Sequence, residues 1–138
     1  MATVELRFSA LPEHVRTARL VAAAVARRAG VDESVLDEVR LAVGEACSRA
    51  VGLHQRAGLT GGAVRVALTD QEKRFLIEVD DEAGPSSVPG PGGLDDADED
   101  TLGLAVISGL VEDFEVSAGA HGGLIRMSWP VSVDALAI

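Results

Sequence analysis

Leu36-Asp37-Glu38-Val39-Arg40-Leu41-Ala42-Val43-Gly44-Glu45-Ala46-Cys47-Ser48-Arg49-Ala50-Val51 is the stretch on which the fold turns. Its apolar positions Leu36, Val39, Val43, Ala46 and Ala50 recur at spacings of three and four, run on to Leu53 and stop by Gly58, which is the period of a helix with one buried stripe. Asp32, just upstream, has the short acceptor side chain that caps such a helix. Cys47 has no second cysteine to pair with and falls inside the helical pattern, so a buried thiol is expected. Glu45 and Arg49 are four residues apart, one turn, and so project from the same face.

On the N-terminal side, Val4, Leu6 and Phe8 alternate with Glu5, Arg7 and Ser9, the period of a strand with one covered face. Pro12 suits a first helical turn, and Val15, Ala18, Val21, Ala22, Val25 and Ala29 keep helical spacing until Gly30 ends the pattern. On the C-terminal side, Val64, Val66 and Leu68, then Phe75, Ile77 and Val79, predict a hairpin across Asp70-Gln71-Glu72. Residues 84–100 break all periodicity with prolines, glycines and the acid run Asp95-Asp96-Ala97-Asp98-Glu99-Asp100, and read as a mobile, lid-like insertion. A third helix is expected from about Leu102 to Val111, and a closing hairpin from Phe114–Ala118 and Leu124–Trp129 across a glycine-rich turn.

Strands with one wet face and helices with one apolar stripe make a two-layer α/β sandwich of the α+β kind. The length, 138 residues, fits one domain spanning 1–138. Apolar residues make up 47% of the chain, yet no run is long enough to span a membrane, and the start Met1 to Arg7 lacks the basic-then-apolar layout of a signal peptide. A cytoplasmic protein without membrane contact is expected. The formal net charge of −10 repels a phosphate backbone, so direct nucleic-acid binding is not expected, and a protein partner with basic patches suits the charge better. His14, His54 and His121 show no ligand spacing and read as surface or turn residues, so no metal site is expected from them. No Gly-x-Ser-x-Gly nucleophile elbow is present.

Leu11-Pro12-Glu13-His14-Val15 followed by Leu36 to Val51 resembles the anti-sigma regulatory factor family, the RsbW-like serine kinases of the gyrase and histidine-kinase (GHKL) ATPase superfamily. The resemblance extends from the first strand to Ile125-Arg126-Met127-Ser128-Trp129. It implies the Bergerat, histidine kinase-like fold: a mainly antiparallel mixed sheet of about five strands covered on one face by about three helices. It also implies Glu45 as the general base for phosphoryl transfer from ATP to serine. One turn on, the family places an Asn whose oxygen holds Mg²⁺, and Arg49 stands there instead.

Arginine has five donors and no acceptor, so Arg49 does not replace that oxygen as a ligand. Its role is left open by the sequence between an ion pair with Glu45 on the helix face and direct contact with phosphate oxygens in place of the metal charge. Two further motifs depart in the same direction. Asp81 matches the family's adenine-contacting Asp, but in Asp80-Asp81-Glu82-Ala83-Gly84-Pro85 the glycine places hold Ala83 and Pro85, with Gly84 between them. Of the glycine-rich phosphate loop only Thr101-Leu102-Gly103-Leu104 is recognisable, preceded by acids that would compete with a triphosphate at the helix start. Arg49, Asp81, Gly84, Thr101 and Gly103 are thus the residues the resemblance puts around a nucleotide. The expectation is a sigma-factor-binding regulator opposed by a STAS-type anti-anti-sigma antagonist, homodimeric through its first strand, with ATP and Mg²⁺ binding weakened or lost. The alternative is an active serine kinase acting on that antagonist.

Overall fold

The computed structural model describes residues 2–59, 62–83, 103–118 and 122–131. In chain order these form β1 (Ala2–Ser9), α1 (Glu13–Ala29), a 3₁₀ turn (Glu33–Val35), α2 (Leu36–Arg56), β2 (Ala63–Asp70), β3 (Arg74–Asp80), α3 (103–110), β4 (Asp113–Ala118) and β5 (Gly123–Pro130). The strands make one sheet in the order β1-β2-β3-β5-β4, and every pairing is antiparallel. The mixed sheet expected above is corrected on this point: β5 enters between β3 and β4, so the step from β3 through α3 to β4 skips one place and needs no parallel pair.

The registers explain the two faces. Val66 lies opposite Val79, Leu68 opposite Ile77, Ile77 opposite Met127 and Phe75 opposite Trp129, and all are buried beneath the helices. The alternate positions form the other face, where Arg65 pairs with Asp80 and Glu5, Arg126 with Glu78, and Arg74 with Asp113. Ala67, Thr69 and Leu76 of that face are themselves buried. β1 is a sheet edge, and Val4 on its inner side is 42% exposed.

α1 and α2 pack together through small residues, Ala18, Ala22 and Ala26 against a helix that buries Ala42, Ala46 and Ala50. α1 stops at Gly30, whose φ of 96° lets Val31 N–H reach back to Ala26 O (3.0 Å) and close the helix end. Asp32 does cap, but what it caps is the 3₁₀ turn: its Oδ1 accepts from Ser34 N–H (2.9 Å), and α2 grows out of that turn with no side-chain cap of its own. Ile107 of α3 and Val111 complete the core. No helix among the described residues is long and apolar enough to cross a membrane.

Candidate functional site

The middle of α2 presents Glu45 and Arg49, both half-buried, on one face. Glu45 Oε2 lies 3.5 Å from the point where a side chain on Gly103 would begin, so the carboxylate rests against the first described residue of α3. The start of a helix carries partial positive charge, and a carboxylate there is electrostatically favoured. The sequence places the acid run 95–100 at this helix start. That run lies outside the described residues, as do Gly84 and Thr101; among the described residues the acid beside Gly103 is Glu45. On its other side Glu45 borders an open cavity of about 500 Å³ between α1 and α2, lined also by Val15, Arg19, Leu41 and Gly44.

Arg49 makes no ion pair with Glu45, which removes one of the two roles left open by the sequence. Among the described residues its guanidinium has no acid partner, and its Nε is buried without a hydrogen bond. The position that the resemblance assigns to a magnesium ligand therefore offers a cation with an unmet donor. A second cation has no lone pair to bind there and is repelled. Nor do the described residues contain a cluster of three or more His, Cys, Asp or Glu side chains suited to a metal. The residues present do not fit Mg²⁺ at this position.

Asp81 follows β3 directly and is only 3% exposed. Its Oδ1 accepts from Ala83 N–H and from Gly123 N–H, each at 3.0 Å, and its own N–H donates to Gly123 O at 3.0 Å. The approach of β5 is so close that side chains at Gly122 and Gly123 would begin 2.2 Å from Asp81 O and 2.8 Å from Asp81 Oδ2. The sequence presents these glycines as part of a hairpin turn, and their second task, wrapping a buried carboxylate, has no local signature.

His54 corrects another expectation. It is fully buried rather than a surface or turn residue. Its Nε2 accepts from Glu82 N–H (2.9 Å), which assigns the ring proton to Nδ1, and Nδ1 is buried without a partner. Glu82 in turn accepts from Ala63 N–H through Oε2 (3.2 Å). The end of α2, the start of β2 and the segment after β3 are thereby tied together next to Asp81. His54 lies one turn after Ala50 on the buried stripe, a position that would have revealed it had residue type not argued for the surface. Cys47 is buried as expected, and burial pushes its thiol pKa up to about 12, so it is not a nucleophile in the folded chain.

A three-helix layer over an antiparallel sheet, with an acid on the second helix beside Gly103 of the third and a buried Asp following the third strand, is an α+β fold of the GHKL ATPase kind. The chain belongs to the family described as Histidine kinase-like ATPase domain, which it matches over residues 8–129. Within that family it is similar to the serine-protein kinase RsbW of Oceanobacillus iheyensis, 26% identical over 91% of this chain and 84% of the relative. It is also 32% identical to the serine-protein kinase RsbW of Bacillus pumilus, over 85% of this chain and 79% of the relative.

Proposed function

We propose that this protein is an anti-sigma factor-like regulator that sequesters a sigma factor, is released by a STAS-type anti-anti-sigma antagonist, and has weakened or lost metal-dependent ATP binding. The observation that carries the reading is the Arg49 guanidinium, with its buried and unpartnered Nε, at the position where the family's magnesium ligand belongs. A net charge of −10 supports a basic protein partner over nucleic acid, and the family relationship supports which partners those are. A cytoplasmic homodimer assembled through the β1 edge completes the proposal; unpaired backbone groups and the exposed Val4 side chain support that edge.

The test has two parts. The chain is mixed with sigma factors from its own cytoplasm and run on size exclusion, and Glu45→Ala is run beside it; a complex that forms with both is the expected result. Calorimetric titration with Mg²⁺-ATP is expected to show no tight binding, and micromolar affinity abolished by EDTA would contradict the reading.

One observation favours a second reading, an active serine kinase. Glu45 borders the surface cavity between α1 and α2, open to an incoming serine. In that case Glu45 takes the hydroxyl proton while the serine oxygen attacks the terminal phosphorus of ATP and ADP leaves. Incubation of antagonist with labelled ATP separates the two readings: phosphoserine in the antagonist, lost in Glu45→Ala, is the kinase outcome.

A further inference from the structure

We propose that His54 is a pH-sensitive latch on the segment that follows β3: its neutral ring holds residues 81–83 against the end of α2 and the start of β2, and a proton on Nε2 lets them go. The inference is independent of what the neighbouring site binds, because it stands on a buried side chain that the proposed function does not use.

The buried stripe of α2 is otherwise apolar, with Val43, Cys47, Ala50 and Val51 leading up to His54. His54 continues it as a fully buried polar ring. One nitrogen works for the fold, Nε2 accepting from Glu82 N–H at 2.9 Å; the other, Nδ1, is sealed without a partner. A buried N–H in that state carries a desolvation cost that an apolar side chain avoids. What the ring adds at this position is an acceptor that a proton abolishes, since a neutral imidazole has one acceptor nitrogen and an imidazolium has none.

The surroundings are tight enough for that change to matter. A side chain on Gly62 would begin 2.7 Å from both Nδ1 and Cε1 of His54 and 3.1 Å from Glu82 Oε2, so the start of β2 lies against the ring and beside the Glu82 carboxylate. Glu82 Oε2 accepts from Ala63 N–H (3.2 Å), a second tie to β2, and Asp81 just before it accepts from Ala83 N–H and Gly123 N–H. A proton on Nε2 aims a donor at the Glu82 N–H, and Gly62 blocks the ring's retreat. The charged side chains on the elements that meet here are Glu82 and Asp81 on the segment after β3 and Arg56 on α2; the adjoining parts of β2 and β5, residues 62–64 and 122–123, carry none. Arg65 and Asp80 pair with each other on the opposite face of the sheet. The Glu82 carboxylate borders Gly62, as Nδ1 does, so it attracts an imidazolium without relieving the meeting of donors at Nε2. Once residues 81–83 move, that carboxylate is the partner for the charged ring.

The experiment follows amide hydrogen exchange of the full chain by NMR from about pH 8 to about pH 5, the range in which histidines commonly change charge, each rate being divided by the intrinsic rate of an unfolded peptide at that pH. The expected result is a loss of protection of about tenfold or more at Glu82, Ala83 and Gly123 as pH falls, with Ile77 and Met127 in the sheet core unchanged. His54→Gln, which keeps an uncharged acceptor, is expected to hold protection constant across the range, and His54→Leu to show low protection throughout. Side-chain nitrogen–proton correlations of His54 report its protonation in the natural chain without any variant, and are expected to change over the same pH interval as the amide protection. Constant protection in the natural chain, a His54 ring that stays neutral until the whole chain unfolds, or a loss undiminished in His54→Gln, which assigns it to Asp81 or Glu82, overturns the proposal. A loss shared equally by Ile77 and Met127 is global unfolding and overturns it as well.

Discussion

Asp81 and Arg49 are both charged residues assigned to a nucleotide by the same family resemblance, yet the fold treats them in opposite ways. Asp81 is enclosed: its Oδ1 accepts from Ala83 and Gly123, and two glycines bring β5 against it. Arg49 is held on α2 with no acid partner among the described residues and with one donor sealed away from water. The Asp81 carboxylate is therefore part of what holds β3 to β5, while no acid among the described residues pairs with the Arg49 guanidinium.

The contrast is most exposed to failure at Asp81. Asp81→Ala leaves two backbone N–H groups without their acceptor and is expected to lower the free energy of unfolding by about 2–4 kcal/mol, read by urea denaturation. A loss near zero would mean that Asp81 is held for a ligand and not for the fold. His54→Leu is next, at about 1–2 kcal/mol, because the Glu82 N–H then loses its acceptor; hydrogen exchange at that amide is expected to speed up together with those of Ala83 and Gly123. Arg49→Leu, by contrast, is expected to lie within about 1 kcal/mol of the natural chain or to stabilise it, since an unpaired half-buried charge is replaced by an apolar group.

The smallest effect concerns pH. The Cys47 pKa is raised from 9.0 to about 12 by burial, so the folded state holds its proton more tightly than the unfolded one. That stabilisation is complete below pH 9.0 and is lost progressively as pH climbs from 9.0 toward 12. Cys47→Ala is expected to flatten the alkaline limb of the stability curve, and the native thiol is expected to resist alkylation until the chain unfolds.

Periodicity made most of the fold legible. The spacing of Leu36, Val39, Val43, Ala46, Ala50 and Leu53 marks α2, and alternation in Val64–Leu68 and Phe75–Val79 marks the central hairpin, because burial of one face imposes the period directly. Pairing was not legible, since the insertion of β5 between β3 and β4 depends on contacts remote in sequence. Within the site, the shared face of Glu45 and Arg49 follows from helix geometry alone. What escaped was decided by tertiary neighbours: His54 is a core residue because a backbone N–H from Glu82 meets its ring, and Gly122 and Gly123 matter because Asp81 lies behind them. The failure of Arg49 to pair with Glu45 belongs to the same class, for helix spacing permits the ion pair and only the placement of α3 shows where the carboxylate goes instead.

With Arg49 in place of an oxygen ligand, the α2 site is expected to have no place for a divalent ion. Water proton relaxation of Mn²⁺-ATP, with Mn²⁺ standing in for Mg²⁺, reads this directly. Adding the protein is expected to leave the relaxation at the value of free Mn²⁺-ATP, whereas Arg49→Asn raises it. A protein-dependent enhancement with the natural sequence, saturating at stoichiometric protein, would contradict it.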